Sequence, residues 1–411
     1  MRYYSYWLGL LILFSVPLHA MLSMELTRGV AGAIPITIMP FLGDDSSPQS
    51  ISTIISNDLQ NSGRFKLSKK DDLVLTGQVT ALGGNRYQVR FLLKEKMTER
   101  RASATILEKN LTGTSNELRK MAHHISDLIY QRLTGTRGVF STKIVYVLIQ
   151  HDEAGYKQYV LEVADQDGYR PRPLLISHEP IMSPCWSPNG RDIAYVSFEH
   201  RQAGIYLQNV ITGQRTLISR MPGINGAPAF SPDGRKLALV LSTTGTPNIY
   251  VMDLATHHTV PVTHDYYINT EPTWAPNGRS LFFTSNRTGG PQIYQIDLGS
   301  KRLTRLTYDG NYNARASVTP DGKQVAIIHR VDDIFSIGIL DLETGNLRVL
   351  SGKSNDSASP SIAPNGSMVL YDFATNGRNI LGMVSTDGRI QLMMPPRDGD
   401  AQDPAWSPYL S

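Results

Sequence analysis

The chain has 411 residues, a formal net charge of +4 at pH 7 and 41% hydrophobic residues. This length and composition suffice for two folded domains with a large core, and they exclude a wholly disordered chain. Lys and Arg are scattered along the sequence, which argues against nucleic-acid binding, and Cys185 is the only cysteine, which excludes an internal disulfide.

The first twenty residues have the pattern of an export signal. A short positive start at Arg2 precedes the apolar run Leu8–Val16, which is too short to span a bilayer. Pro17 and Ala20 follow and fit a cleavage region. We therefore expect residues 1–20 to be removed, and the mature chain to be exported and soluble, without membrane insertion.

Two regions are expected before the repeats described below. Residues 21–33 contain glycines among residues of mixed polarity, which predicts a flexible segment. Residues 34–138 alternate strand-like and helix-like stretches, which predicts a small α/β domain. Its predicted strands are Ile34–Phe41, Leu73–Thr80, Arg86–Lys94 and Leu107–Leu111, and its two predicted helices begin at Pro48 and, with a capping serine, at Ser115.

Two adjacent histidines, His123 and His124, lie in the second predicted helix. Neighbouring residues on a helix point about 100° apart, so these two side chains cannot hold one ion together. We predict no metal site here, and we expect the protein to need no cofactor.

A short phrase repeats at a fixed spacing through the rest of the chain. Each copy has a small residue, a large apolar residue and a proline, and in all but the last copy Asn-Gly or Asp-Gly follows, which predicts a short strand followed by a tight turn. The copies start 44 residues apart, at Pro184, Pro228, Pro272, Ala316, Pro360 and Pro404. Three further strand-like stretches follow most copies, and four strands per repeat of this length are typical of a propeller blade.

The two ends of the repeat region complement each other. Residues 143–177 contain the second, third and fourth strands of a blade without the phrase, and the copy at Pro404 has the phrase with nothing after it. We therefore predict a six-bladed β-propeller over residues 139–411, in which the C-terminal strand completes the first blade. Such closure removes exposed sheet edges.

A catalytic propeller is the alternative. A peptidase of this architecture would add a hydrolase domain with G-x-S-x-G, which the sequence lacks. The same position of the repeat is occupied by four aspartates, Asp165, Asp253, Asp297 and Asp341. That position directly precedes a turn, so we expect these side chains to cap turns. Binding through variable loops on a rigid scaffold is favoured, and the loops leading into the first strands are Gly223–Ala227, Tyr267–Glu271, Asn311–Arg315 and Asp356–Ser359.

Several stretches together resemble the TolB family, the periplasmic propeller proteins of the Tol-Pal system. The resemblance covers essentially the whole chain. Its most specific stretches are Asn57-Asp58-Leu59 with Asn61-Ser62-Gly63, Asn225–Gly234, Asn269–Trp274, Val384–Arg389 and the ending Pro404–Leu410.

The resemblance implies a non-enzymatic periplasmic adaptor, expected to be a monomer, that supports outer-membrane invagination during cell division and outer-membrane integrity. Family members bind the lipoprotein Pal through one propeller face and TolA through the mature N-terminus. The positions that match the Pal-binding motif are Asn225, Gly226, Ala227, Asn269, Thr270 and Glu271, and those that match the TolA-binding segment are Glu25, Leu26, Thr27, Arg28, Gly29 and Val30. A secreted propeller hydrolase or carbohydrate-binding protein is the other hypothesis.

Overall fold

The structure is a computed structural model that describes residues 23–26, 32–46, 50–69, 71–96, 104–352, 356–394 and 397–410. The predicted signal, residues 1–20, lies outside the described residues. The predicted fold class, a six-bladed propeller after a small α/β domain, is confirmed. In the described part of the chain, neither α-helix is long and apolar enough to cross a membrane.

The α/β domain is a five-stranded sheet covered by two helices. Strand β1 (Ser23–Leu26) precedes this domain in the chain but pairs with a strand of the propeller. The sheet order is β3-β2-β4-β5-β6. Its elements are β2 (Ile34–Ile38), α1 (Ile51–Asn61), β3 (Phe65–Leu67), β4 (Leu73–Gly83), β5 (Arg86–Glu95), β6 (Ala104–Thr114) and α2 (Leu118–Thr134), with short 3-10 helices at Asp44–Ser46 and Ser115–Glu117. Apolar residues at helical spacing, such as Ile51 and Ile55, place one face of each helix in the core.

Three local predictions in this domain need correction. Strand β2 ends at Ile38 rather than Phe41, because Pro40 has no N–H to donate to a ladder. The turn before α2 is capped one residue earlier than predicted: Thr114, not Ser115, donates its N–H to the Glu117 carboxylate at 2.8 Å. Strand β6 also extends well beyond Leu107–Leu111, because it pairs with β5 along its whole length.

Blades 2 to 5 are four-stranded antiparallel sheets of consecutive strands, blade 6 has four consecutive strands of its own, and blade 1 is assembled from both ends of the propeller. Blade 1 contains β7 (Lys143–His151), β8 (Lys157–Asp165) and β9 (Arg172–Ser177). Blade 2 is β10 (Ile181–Trp186), β11 (Asp192–Ser197), β12 (Gly204–Asn209) and β13 (Arg215–Ser219). Blade 3 is β14 (Asn225–Phe230), β15 (Lys236–Leu241), β16 (Asn248–Asp253) and β17 (Thr259–Pro261).

The remaining blades have the same strand order. Blade 4 is β18 (Asn269–Trp274), β19 (Ser280–Ser285), β20 (Gln292–Asp297) and β21 (Leu303–Arg305). Blade 5 is β22 (Asn313–Val318), β23 (Gln324–Val331), β24 (Ile334–Asp341) and β25 (Leu347–Val349). Blade 6 is β26 (Ser357–Ile362), β27 (Met368–Thr375), β28 (Arg378–Ser385) and β29 (Ile390–Met393), and the last strand of the chain is β30 (Asp400–Trp406).

Strand β30 completes blade 1 by pairing with β7. Trp406 lies opposite Ile144 and Gln402 opposite Val147, and the Lys143 N–H donates to the Ser407 hydroxyl at 2.9 Å. The first and last strands of the propeller therefore share one sheet, which removes two unpaired edges.

Strand β1 adds a fifth strand to blade 6. Ser23–Leu26 pairs antiparallel with β29, with Glu25 opposite Gln391 and Leu26 opposite Ile390. This stretch lies within residues 21–33, which the sequence predicts to be flexible, but its backbone pairs with β29, the outer strand of the blade. The outer strand of blade 6 therefore has a partner that comes from the N-terminal side of the chain.

The α/β domain packs beneath blades 1 and 6. The loops into the innermost strands and those joining second and third strands form one face of the propeller, here called the loop face. The α/β domain contacts the opposite face: Arg119 pairs with Asp165 at the end of β8, Asn365 donates to the Arg137 carbonyl at 3.1 Å, and Gly63 lies against Ile390. The loop face is left uncovered by the α/β domain.

Candidate functional site

The six residues matched to Pal binding lie at equivalent positions of two neighbouring blades. Asn225, Gly226 and Ala227 begin β14, and Asn269, Thr270 and Glu271 begin β18. Sequence reasoning placed them in loops, but they belong to the innermost strands, at the end that meets the loop face. The structure thus brings the two groups together at adjacent positions on one side of the propeller.

The two asparagines are buried and organise the loops that precede them. Asn269 is 0% exposed, and its amide donates to the Asn248 and Asp265 side chains at 3.0 and 2.7 Å. Asn225 is 1% exposed, and its carbonyl oxygen accepts from the Ser219 hydroxyl at 2.8 Å. Full burial leaves these amides unable to contact a partner directly, so their role is to fix the loop backbone.

A backbone irregularity repeats once per blade just after these positions. A register shift interrupts each innermost strand, and the residue before the repeated phrase has a positive φ, for example 44° at Ala227 and 53° at Glu271. The full set, spaced by 44 residues, is Ser183, Ala227, Glu271, Arg315, Ser359 and Asp403. Bulges of this kind redirect side chains, and here they bring residues of different blades together at the propeller axis.

A polar network joins the blades at that axis. Arg315 of blade 5 contacts Asp403 of blade 1 at 2.7 Å and Ser359 of blade 6 at 2.8 Å. The Glu271 carboxylate of blade 4 accepts from the Arg315 backbone N–H at 3.1 Å, and the Asp403 carboxylate accepts from the Ser183 N–H at 3.0 Å. Burial lowers the pKa of Arg315, but the negative charges of Asp403 and Glu271 outweigh burial and hold it above its ordinary value.

Exposed apolar side chains collect on the loop face. Tyr266 is 97% exposed, and its neighbours in the same loop are also exposed. We call the set the apolar loop patch; it consists of Met221, Ile224, Tyr266, Tyr267, Ile268 and Tyr308. Exposed apolar groups concentrated at one place indicate a contact surface for another macromolecule. The loops favoured for binding from the sequence, Gly223–Ala227 and Tyr267–Glu271, include Ile224, Tyr267 and Ile268. Met221, Tyr266 and Tyr308 were missed.

A cavity of about 620 Å³ opens beside this patch, between blades 2 and 3. Its walls are mainly apolar and include Met182, Phe198, Pro222 and Ile224, with Arg201 among the polar lining residues. Gly226 and Ala227 line it as well, so the cavity adjoins the blade 3 positions matched to Pal binding. A cavity of this size can receive a large side chain from a partner.

The residues matched to TolA binding are only partly described. Glu25 and Leu26 lie in β1, paired with blade 6, whereas Thr27, Arg28, Gly29 and Val30 lie outside the described residues. Strand β1 is held to β29 by backbone pairing. A short extended segment can bind the edge of a partner's sheet through the same kind of backbone hydrogen bonds.

The aspartates expected to cap turns divide into two groups. The carboxylates of Asp253, Asp297 and Asp341 accept backbone N–H groups of the turns that follow, at 2.7–3.1 Å. Asp165 differs, because its carboxylate pairs with Lys143 and Arg119 instead. Its position in blade 1 faces the α/β domain, and tertiary charge contacts replace the local cap.

Within the described part of the chain, one group of side chains has the spacing of metal ligands: atoms of Asp58, His123 and Asp167 lie within 4.8 Å of one another. The Arg119 guanidinium contacts Asp167 directly, so a cation is already present at this carboxylate. We therefore describe the group as an ion-pair network.

Family comparisons agree with this architecture. A profile described as the TolB beta propeller domain matches residues 130–410, and one described as the TolB amino-terminal domain matches residues 22–74. The chain belongs to the TolB family. The resemblance stated from the sequence is thereby confirmed.

Similar TolB proteins are known by sequence and by structure. The crystal structure of TolB from Acinetobacter baumannii superposes with a TM-score of 0.85 at 37% identity, covering 94% of this chain and 100% of that chain. Proteins named Tol-Pal system protein TolB from Coxiella burnetii and Legionella pneumophila (strain Corby) are 48% and 47% identical, over 54% and 50% of this chain. The matches span about half of those relatives' own lengths, 56% and 52%.

Proposed function

We propose that this chain is a non-enzymatic periplasmic adaptor of the Tol-Pal system. In this role it binds the lipoprotein Pal through the loop face and TolA through the segment Glu25–Val30, and it supports outer-membrane invagination at division and outer-membrane integrity. The observation that carries the proposal is the apolar loop patch beside β14 and β18, on the face that the α/β domain leaves uncovered. Membership of the TolB family and the names of the relatives support it.

The chemistry of the loop face favours protein binding over substrate turnover. Interfaces combine apolar and aromatic anchors with a few fixed polar groups. Tyr266, Ile268 and Ile224 supply apolar anchors, and Thr270, which is partly exposed, supplies a hydroxyl beside them. The buried Asn225 and Asn269 hold these loops in one conformation, which lowers the entropy lost on binding.

Pal binding is tested by a pull-down with the full chain and the Pal periplasmic domain, without added metal or substrate. Thr270→Arg introduces a long charged side chain into the proposed contact and is expected to abolish capture. Ile211→Arg is the matched control, because Ile211 is exposed in a turn between third and fourth strands, on the opposite face. Equal capture by both variants would place Pal binding elsewhere.

TolA binding is tested separately. Residues 21–33 are replaced by a Gly/Ser-rich stretch of equal length, which keeps chain length but removes the side chains of Glu25–Val30. Capture of the TolA periplasmic domain should be lost, while capture of Pal is retained. If TolA capture persists, another part of the chain binds TolA.

The β1 pairing gives the two binding events a physical link. Release of β1 from β29 exposes the edge of blade 6 and frees Glu25 and Leu26 for a partner. Because ordering a short segment costs only a few kcal/mol, a ligand at the loop face could shift this equilibrium. We propose that Pal binding alters access to the TolA-binding segment in this way.

A further inference from the structure

The contact between the α/β domain and blade 1 contains a cluster of buried charges. Asp58 on α1 lies 2.8 Å from His123 Nδ1 on α2, and both side chains are nearly inaccessible, with 4% and 3% exposed. From the propeller, Asp165 and Asp167 face α2, where Arg119 contacts both carboxylates. The cluster therefore crosses from one domain to the other.

The charges in this cluster balance only when His123 is protonated. Three carboxylates, Asp58, Asp165 and Asp167, stand against two permanent cations. These cations are Arg119 and Lys143, the latter 2.8 Å from Asp165. A protonated imidazole supplies the third positive charge. Asp127, one turn along α2, also acts on Asp58, but backbone N–H groups of Phe140 and Ser141 bind its carboxyl group, so it is not counted in this balance.

The imidazole lies close to carboxylates of both domains. His123 Nδ1 contacts Asp58, and its other nitrogen, Nε2, has no hydrogen-bond partner in the described part of the chain. A carboxylate oxygen of Asp167 lies within 4.8 Å of the His123–Asp58 pair. Burial lowers the pKa of His123, but the charge and hydrogen bond of Asp58 and the charge of Asp167 outweigh burial and raise it above 6.5.

We propose that His123 is a proton-binding site that couples the orientation of the α/β domain to pH. The protonated ring lies between carboxylates of the two domains and stabilises their contact. Loss of the proton leaves Asp58 and Asp167 facing each other across a neutral ring, and the contact weakens. The Arg119 guanidinium contacts Asp167 and opposes any further positive charge at this site, but the charges of Asp58 and Asp167 outweigh it at the imidazole.

The sign of the effect follows from the raised pKa. The folded state binds the proton more tightly than the unfolded state, so the stabilisation is fully present below the ordinary histidine pKa of about 6.5. It is lost as the pH rises through the pKa of the folded state. The domain contact is therefore strongest in mildly acidic solution and weakens as the pH rises through the folded-state pKa of His123.

The first test measures the proton directly. Histidine rings of the full chain are labelled with carbon-13 and followed by NMR between pH 5 and 9, and the His123 signal is assigned as the one missing in His123→Gln. We expect His123 to titrate above pH 6.5. Asp167→Asn, which removes the propeller carboxylate, should lower that midpoint by about one unit. A midpoint at or below 6.5, or one unchanged by Asp167→Asn, would overturn the proposal.

The second test measures the domain contact. Arg137 lies in the junction between the domains, and its guanidinium lies 4.1 Å from the Tyr409 ring of the propeller. Tryptic cleavage after Arg137, normalised to an unfolded substrate, should rise between pH 6.5 and 8.5 in the wild type, by up to about ten-fold per unit of pKa shift. His123→Gln should be cleaved rapidly at both pH values.

His124→Gln is the matched control, because His124 is the exposed neighbour on the same helix and should behave as the wild type. Equal pH profiles for wild type and His123→Gln would contradict the proposal. So would a thermal stabilisation by Zn²⁺ that His123→Gln abolishes, because it would make the site a metal site.

Discussion

Arg315 and Asp403 join blades 5 and 1 across the propeller axis, with guanidinium nitrogen and carboxylate oxygen 2.7 Å apart. The two residues are 88 positions apart, two repeats, and both have the positive φ that marks the bulge in each innermost strand. The pair therefore links the C-terminal strand to the blade two positions away in the ring. It depends on β30 being seated in blade 1.

Breaking this pair should destabilise the propeller. Arg315→Met leaves Asp403 without its cation in a site where the two side chains are 28% and 15% exposed. We expect the free energy of unfolding in urea to fall by about 2 kcal/mol, less than for a fully buried pair. Arg90→Met is the control, because the Arg90–Glu108 pair is well exposed and should contribute under about 1 kcal/mol. Equal losses in the two variants would show that the axial pair has no special role.

Asp372, on β27, carries a buried carboxyl group whose pKa is raised to about 6, first by burial and then by the charge of Asp403. The unfolded state ionises near pH 4 while the folded state stays neutral, so this group costs stability as the pH rises toward 6. Asp372→Asn should therefore raise the free energy of unfolding by about 1–3 kcal/mol at pH 8 and change it little at pH 4.

The matched control for this prediction is Asp398→Asn, an exposed aspartate that should change stability by less than about 0.5 kcal/mol at either pH. A destabilising effect of Asp372→Asn at pH 8 would contradict the raised pKa, because it would mean that the folded state stabilises the ionised carboxylate.

The closure of the ring can be tested with two tryptophans that occupy the same position of the repeated phrase. Trp406 on β30 donates its indole N–H to Thr142 at 2.8 Å, and Trp274 on β18 donates to the Ala229 carbonyl at 3.0 Å. Both are buried. In a closed ring, Trp406→Ala and Trp274→Ala should each cost about 3–5 kcal/mol in calorimetric unfolding. A much smaller cost at Trp406 would indicate that the C-terminal strand is released easily.

Asn269 and Tyr266 should separate loop support from partner contact. Asn269→Ala removes four hydrogen bonds of a buried amide, so it should lower stability by about 1–3 kcal/mol and weaken Pal binding through the loop. Tyr266→Ala should change stability by less than about 0.5 kcal/mol yet weaken Pal binding about five-fold or more. Calorimetric titration with Pal checks both, and an unaltered affinity for Tyr266→Ala would remove it from the contact.

Much of the fold could be predicted because its determinants are local and repeated. A proline marks the end of each innermost strand, an Asn-Gly or Asp-Gly turn follows it in five of the six copies, and the spacing of the copies gives the blade count. The bulges were not predicted, because a positive φ at Arg315 or Glu271 depends on contacts with other blades rather than on a local glycine.

The candidate site was predicted less completely. Asn225 and Asn269 were identified by resemblance, but their burial could not be read from sequence, because it depends on the packing of the preceding loop. His123 was considered only with His124, its neighbour in sequence. Its true neighbours, Asp58 and Asp167, come from another helix and another domain, so no sequence spacing connects them.

The most direct test of the proposed function is photo-crosslinking of the exported full chain in cells. A photo-reactive amino acid is placed at Tyr266 on the loop face or at Ile211 on the opposite face, both of which are exposed. We predict that Tyr266 crosslinks to Pal and Ile211 does not. Crosslinking to Pal from Ile211 but not from Tyr266, or from neither position nor any other residue of the apolar loop patch, would contradict the account.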